Sequence, residues 1–236
     1  MRRFLLIALG LLLLPSAANA EEPYVSRARF SALVAEASSD DFRIPDDPVI
    51  WQALNKLIDT PGKRVWARKS LTIREHYRDT VEAALLEHRL PAQLAAIPLI
   101  EAGYRNLGSD DPIDQVPYEL GPVGRGLWMF IRPTGRAFGL QIDDTIDQRL
   151  DVPAATNAAM LYLAKLHGRF GDWGLAFASY HRGPTFVRRT MNEQGMRNPW
   201  RLIEAGELNR YAAKIMAAAL VLHDPSLVHW APEPTD

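Results

Sequence analysis

One stretch constrains this 236-residue chain more than any other: Leu90-Pro-Ala-Gln-Leu-Ala-Ala-Ile-Pro-Leu-Ile-Glu-Ala-Gly-Tyr104. Leu94, Ile97, Leu99 and Ile100 are packed too densely for a helix with one wet face, so a helix here belongs in the core. Pro91 suits a first turn, where its missing N–H is no loss. Pro98 removes the bond back to residue 94 and should loosen the helix. Gly103 is a natural stop. Glu101 then sits in the last turn of a buried helix. Desolvation and the negative end of the helix dipole both raise a carboxyl's pKa there. A carboxyl protonated near neutral pH is a general acid. A Glu that only tops a core helix and pairs with an Arg would look the same in sequence.

The rest of the chain reads as helical. Phe30–Glu36 forms a short helix, and Ser38–Pro48, rich in Ser, Asp and Pro, a linker. Apolar residues at 50, 51, 54, 57 and 58 make a helical face over 48–59. Thr60-Pro-Gly-Lys reads as a turn. Ile73, Tyr77, Val81, Ala84, Leu85 and His88 share one face of a helix over 72–88. Further helices are expected over 153–170 and 173–180, with an amphipathic one over 208–222. Residues 105–127, broken by Pro112, Pro117, Gly121, Pro122, Gly124 and Gly126, read as a long irregular loop, and loops of that length tend to be functional. It is expected to form an ordered flap carrying Asp110, Asp111, Asp114 and Glu119. No strand and no repeat is apparent, so the fold class is all-α.

Arg2 and Arg3, the apolar run Phe4–Leu14 and Ala18-Asn19-Ala20 have the layout of a cleaved export signal. The apolar run is too short to span a bilayer. The mature chain should start near Glu21, in the periplasm or outside the cell. Losing Arg2 and Arg3 takes Lys+Arg from 27 to 25 against 28 acids, a net charge of −3. That is no field for nucleic acid. With no Cys there is neither a disulfide nor a lipidated cysteine, so no stable membrane anchor is expected. The expected layout is a signal over 1–20, an N-terminal extension over 21–70, the main domain over 71–223 and a tail over 224–236.

Four motifs, in order, carry a resemblance. They are Leu90-Pro…Ile97-Pro-Leu-Ile-Glu101, Gly126-Leu-Trp-Met-Phe-Ile-Arg-Pro-Thr-Gly135, Asp147-Gln-Arg-Leu-Asp151, and Gly171-Asp-Trp173…Ala178-Ser-Tyr-His-Arg-Gly183. Together they make the chain from about Tyr77 to Leu222 resemble the catalytic domain of soluble lytic transglycosylase-like (SLT) enzymes, of the membrane-bound lytic murein transglycosylase D type. The resemblance implies a lysozyme-like helical domain acting on peptidoglycan glycan strands, with Glu101 as the catalytic residue. It implies substrate contacts from Tyr104, Trp128, Met129, Tyr180 and His181, with possible cell-wall protein partners and no cofactor. No metal is assigned, because the histidines lack metal-ligand spacing with carboxylates. Three residues depart from the family's pattern: Ala102 replaces Ser, Met129 replaces Gln and His181 replaces Asn.

Ordinary glycosidases need two carboxyl groups, and the motifs offer only Glu101. One suffices, as the resemblance implies, if the muramyl C6 hydroxyl replaces water and closes a 1,6-anhydro ring. Two other readings remain open at this level. A loop acid would turn the site into a lysozyme-type hydrolase. Loss of the Ser, Gln and Asn would leave a protein that binds glycan or a cell-wall partner. Tyr180 can hydrogen-bond Glu101, the sugar or the core, and Trp128 suits a core position as well as a sugar platform.

Overall fold

Helix starts in this chain are often written as a short polar residue followed closely by proline. Asp47-Pro48, Thr60-Pro61, Asp151-Val-Pro153 and Asn198-Pro199 each place a side-chain acceptor over the first free N–H groups. A computed structural model describes residues 24–108 and 124–229, and in them eleven α-helices. These are α1 Arg27–Ala37, α2 Pro48–Ile58, α3 Pro61–Arg74, α4 Arg78–Glu87, α5 Ala96–Ala102, α6 Arg132–Ala137, α7 Val152–Phe170, α8 Trp173–Arg182, α9 Pro184–Gln194, α10 Pro199–Glu204 and α11 Tyr211–His223. Single 3-10 turns cover Ala92–Ala95 and Pro225–Val228. The all-α reading holds: β structure among the described residues is limited to three isolated antiparallel bridges. No described helix is long and apolar enough to cross a membrane. The expected export signal, the loop acids Asp110, Asp111, Asp114 and Glu119, and the last seven residues lie outside the described residues.

Several element boundaries differ from the sequence reading. Thr60-Pro-Gly-Lys starts a helix instead of forming a turn. Thr60 accepts a hydrogen bond from the Lys63 N–H, and Pro61 occupies the position that needs no donor. The expected helix over 72–88 is two helices, parted at Glu75–Tyr77. The break lets α3 pack on α5 while α4 packs on α7, and the apolar spacing is the same on either side of it. The central stretch divides at Ala95, where a 3-10 turn gives way to α5. Pro98 thus falls in the first turn of α5, where its missing N–H costs nothing. The expected Ser38–Pro48 linker is pinned to the core by Phe42 and Ile44, both buried.

The hub is α11, and it is not amphipathic. Ala212, Ala213 and every residue from Ile215 to Val221 are buried, leaving Lys214 exposed. A helix apolar on all sides belongs in the middle of a bundle. Its five alanines let α2, α5 and α8 approach closely. The N-terminal helices share this core: Phe30, Leu33, Ile50 and Leu54 join one cluster with Leu94, Ile97 and α11. Residue 70 falls inside α3. At the other end Val228 is buried and its carbonyl accepts a hydrogen bond from Arg68, so the first residues of the expected polar tail pack against the bundle.

The segment from Gly124 to Ile131 has no helix of its own and is held by Arg149. Arg149 is 2% exposed; it grips Asp147 through Nη2–Oδ2 at 2.6 Å and Nε–Oδ1 at 2.8 Å, and donates to the Phe130 carbonyl at 3.1 Å. Gly126 has φ +78, and a Cβ there would lie 1.8 Å from the Arg149 carbonyl oxygen. Only glycine fits. Replacing Arg149 with Leu should take from Asp147 its two close side-chain donors, leaving Arg125 at 3.4 Å, and remove one of the two donors on the Phe130 carbonyl, at a cost of about 3–5 kcal/mol. Thermal melts should show a midpoint lowered by roughly 6–20 °C; an unchanged midpoint would mean that the Asp147–Arg149 pair does not hold this segment.

Candidate active site

Glu101 occupies the last turn of α5, and Gly103 ends that helix in the left-handed conformation at φ 57. A Cβ on Gly103 would also lie 2.8 Å from Ser70 Oγ, so α3 closes on this turn. The Glu101 carboxyl accepts a hydrogen bond from the Tyr211 hydroxyl, which rises from the first turn of α11. Burial pushes the Glu101 pKa up to about 7, and the Tyr211 bond, which favours the carboxylate, opposes it only in part. Burial and the Glu101 charge together hold the Tyr211 hydroxyl well above its usual range. Tyr211 is therefore a fixed donor.

The other expected residues fall into two groups. Tyr180 sits by the acid without bonding to it: burial and then the Glu101 charge raise its pKa, while its hydroxyl donates to the Trp128 carbonyl at 2.7 Å. His181 packs its ring on Tyr211 with centroids 4.6 Å apart. Burial, then Arg182 and Lys214, lower the His181 pKa, so the ring is neutral at pH 7. Asn209 Nδ2 lies 3.0 Å from its Nδ1, which places the proton on Nε2. Met129 is half-buried on the turn beside Trp128, with φ +51. A non-glycine residue held there marks backbone over-determined by its surroundings.

Tyr104 and Trp128 are not open to a ligand. Both are fully buried. Tyr104 donates its hydroxyl to the Ala95 carbonyl, and Trp128 Nε1 donates to Thr156 Oγ1 at 2.9 Å. They brace α5 and the Gly124–Ile131 segment from inside. Ala102 is buried too, so a serine hydroxyl at this position would need an internal partner.

Sequence reasoning passed over Tyr211 and Asn209. The available signal was a tyrosine opening a helix otherwise rich in Ala, Ile and Leu: a hydroxyl carried into such a core must find an acceptor. A row of aromatic rings was also missed. Tyr180 lies 5.3 Å from Tyr162, and Tyr162 lies 4.7 Å from Phe138, centroid to centroid. Phe138 and Tyr180 are partly exposed, so this row meets solvent beside the acid.

The profile of the transglycosylase SLT domain matches residues 82–203. The chain belongs to this family. The lysozyme-like helical fold expected for it goes with that membership, and α4 to α10 are the SLT part of the bundle. Membrane-bound lytic murein transglycosylase D of Escherichia coli strain K12 is 28% identical over 153 residues, covering 63% of this chain and 32% of the relative. A protein named for tributyltin chloride resistance, from Alteromonas sp. strain M-1, is 30% identical over 127 residues, covering 53% of this chain and 56% of the relative. The chain thus spans about a third and about half of the lengths of these relatives. The matched SLT stretch contains Glu101, Met129, Tyr180 and His181, and stops short of Asn209 and Tyr211.

The raised pKa has a consequence for stability. A carboxyl with an ordinary value of 4.5 is held up to about 7 in the folded protein, so the folded state binds this proton more tightly than the unfolded one. Its contribution is complete below pH 4.5 and lost as pH rises to 7. Glu101→Gln lacks that loss. The melting temperature of the variant minus that of the wild type should therefore grow between pH 4.5 and 7 and level off above. A difference independent of pH would show that the carboxyl is not desolvated.

Proposed function

We propose that this chain is an exported lytic transglycosylase that cleaves the β-1,4 bond between N-acetylmuramic acid and N-acetylglucosamine in peptidoglycan, with Glu101 as both acid and base. The observation that carries the reading is the pairing of a desolvated Glu101, pKa about 7, with the Tyr211 hydroxyl. The name of the E. coli relative points to the same chemistry. The N-terminal run Arg2–Ala20 supports export to the periplasm.

The reaction needs one carboxyl group. Protonated Glu101 gives its proton to the glycosidic oxygen as the bond to the muramyl C1 breaks, releasing the N-acetylglucosamine hydroxyl. The muramyl C6 hydroxyl then bonds to C1, and its proton returns to the Glu101 carboxylate. No water is consumed, and the acid is restored. Tyr211 steadies the carboxylate between the two transfers. The Phe138–Tyr162–Tyr180 row supplies apolar faces for the sugar strand. With Nδ1 engaged by Asn209, the His181 Nε2–H is the group left to donate to a sugar oxygen, and Met129 supplies an apolar contact where the family has an amide.

Mass spectrometry of cell wall digested by the purified protein tests the reading. Muropeptides one water lighter than hydrolysis products are expected. Normal reducing ends would make the protein a hydrolase, and no release would make it a binding protein. Glu101→Gln should stay folded and lose roughly 10²–10⁴-fold in rate from general-acid catalysis alone. A variant that keeps most of its activity would place the acid elsewhere.

The pH profile carries a second test. Activity requires the protonated acid, so it should fall as pH rises through about 7. Tyr211→Phe removes a bond that lowers the Glu101 pKa. Its alkaline limb should therefore move to higher pH while kcat falls. An unmoved limb would mean that Tyr211 serves the fold alone.

A further inference from the structure

A second cleft lies against the acid's helix, lined from α2, α3, α5 and the start of α11, with a volume of about 350 Å³. Lys56, Lys63, Trp66, Ile100, Arg210 and Lys214 line it. Ile100 directly precedes Glu101, and Arg210 directly precedes Tyr211, so the cleft shares two walls with the acid. Trp66 is 40% exposed and leans on the turn that ends α5: a Cβ on Gly103 would lie 3.3 Å from its indole nitrogen.

Four cations line this cleft and no carboxylate does. Two are engaged inside the protein. Lys63 pairs with Asp59 at 2.7 Å, and Arg210 donates to the Gln52 amide oxygen at 2.9 Å. Lys56 and Lys214 are exposed and have no ion pair among the described residues. The Lys214 charge reaches the active site, where it helps lower the His181 pKa. In a chain of net charge −1, such a one-signed concavity calls for an anionic occupant, because like charges focused in a cleft repel one another until a counter-charge enters. The neutral sugar backbone gives no use for it. An occupant that is both anionic and tethered beside Glu101 is the short peptide carried by the muramyl residue, whose free carboxylates are linked to the sugar ring through the lactyl ether and the first amide bonds.

We infer that this cleft binds the carboxylates of the peptide borne by the muramyl residue next to the scissile bond, with Lys56 and Lys214 as its free charges and Trp66 and Ile100 as its apolar wall. The inference rests on the proposed transglycosylase reading. It makes the N-terminal helices α2 and α3 part of substrate selection.

The test compares glycan strands that keep their peptides with strands stripped of them by an amidase, the lactyl carboxyl exposed by that cut being capped as a methylamide. Wild type should show a lower KM on peptide-bearing strands. Lys56→Gln, an exposed substitution on α2, should raise that KM roughly 2- to 5-fold, the worth of one exposed charge pair, and leave KM on stripped strands unchanged. Equal KM values for wild type on both strands, or an equal loss on both in the variant, would overturn the inference. Titration of the Glu101→Gln protein with the soluble disaccharide, bearing either its peptide or a lactyl group capped as a methylamide, separates this from the enzymatic reading. Tighter binding of the peptide-bearing form, weakened when Lys56 is also changed, upholds the cleft even if wild type releases no anhydro product. Equal affinity for the two ligands overturns it even if the enzyme is active.

Discussion

The hydrogen bond between Tyr211 and Glu101 is the point on which the site depends. It joins the end of α5 to the start of α11, two helices most of whose residues are buried. Because both are buried, the carboxyl is stripped of much of its water, and its pKa rises to about 7. Without a donor, a carboxylate at this depth would be too costly to form during a reaction. With a fixed donor it is reachable, and the group can stand on either side of its titration at neutral pH. The two helices therefore build the core and also set the titration of Glu101.

A second frame supports the opposite wall. Trp128, inside the protein, donates to Thr156 and offers its carbonyl to Tyr180. Arg149 holds the same segment through Asp147 and the Phe130 carbonyl, and Gly126 accepts the close approach that this requires. The strained Met129 backbone is sustained by these bonds on both sides of it. Residues that resemble ligand contacts in sequence, Trp128 above all, serve here by fixing the positions of neighbours that remain open.

The family profile and the geometry divide the site between them. The matched stretch, 82–203, carries the acid, the Tyr180–His181 pair and the Met129 turn. The acid's donor, Tyr211, and the Asn209 that orients His181 both lie after it. So does Lys214 of the second cleft, while Lys56 and Lys63 come from helices before it and Arg210 caps the start of α11. The departures at 102, 129 and 181 are accommodated locally: Ala102 fills a closed space, and His181 finds a partner in Asn209.

Much was legible in sequence. The density of Leu94, Ile97, Leu99 and Ile100, with Gly103 after them, was enough to place Glu101 at the end of a buried helix, because local spacing and glycine's freedom at positive φ are properties of the chain itself. Helix starts were partly legible for the same reason; Thr60-Pro61 was misjudged because a polar residue before proline serves a turn and a helix cap equally well. The break at Glu75–Tyr77, the burial of α11 on every side and the choice of Tyr211 as donor were decided only in the tertiary structure. Each depends on which distant surface arrives opposite: α5 against α3, α2 and α8 against α11, and Glu101 against a hydroxyl 110 positions later. A pattern along one strand of sequence sets which face is apolar, and the packing of the whole bundle sets what that face meets.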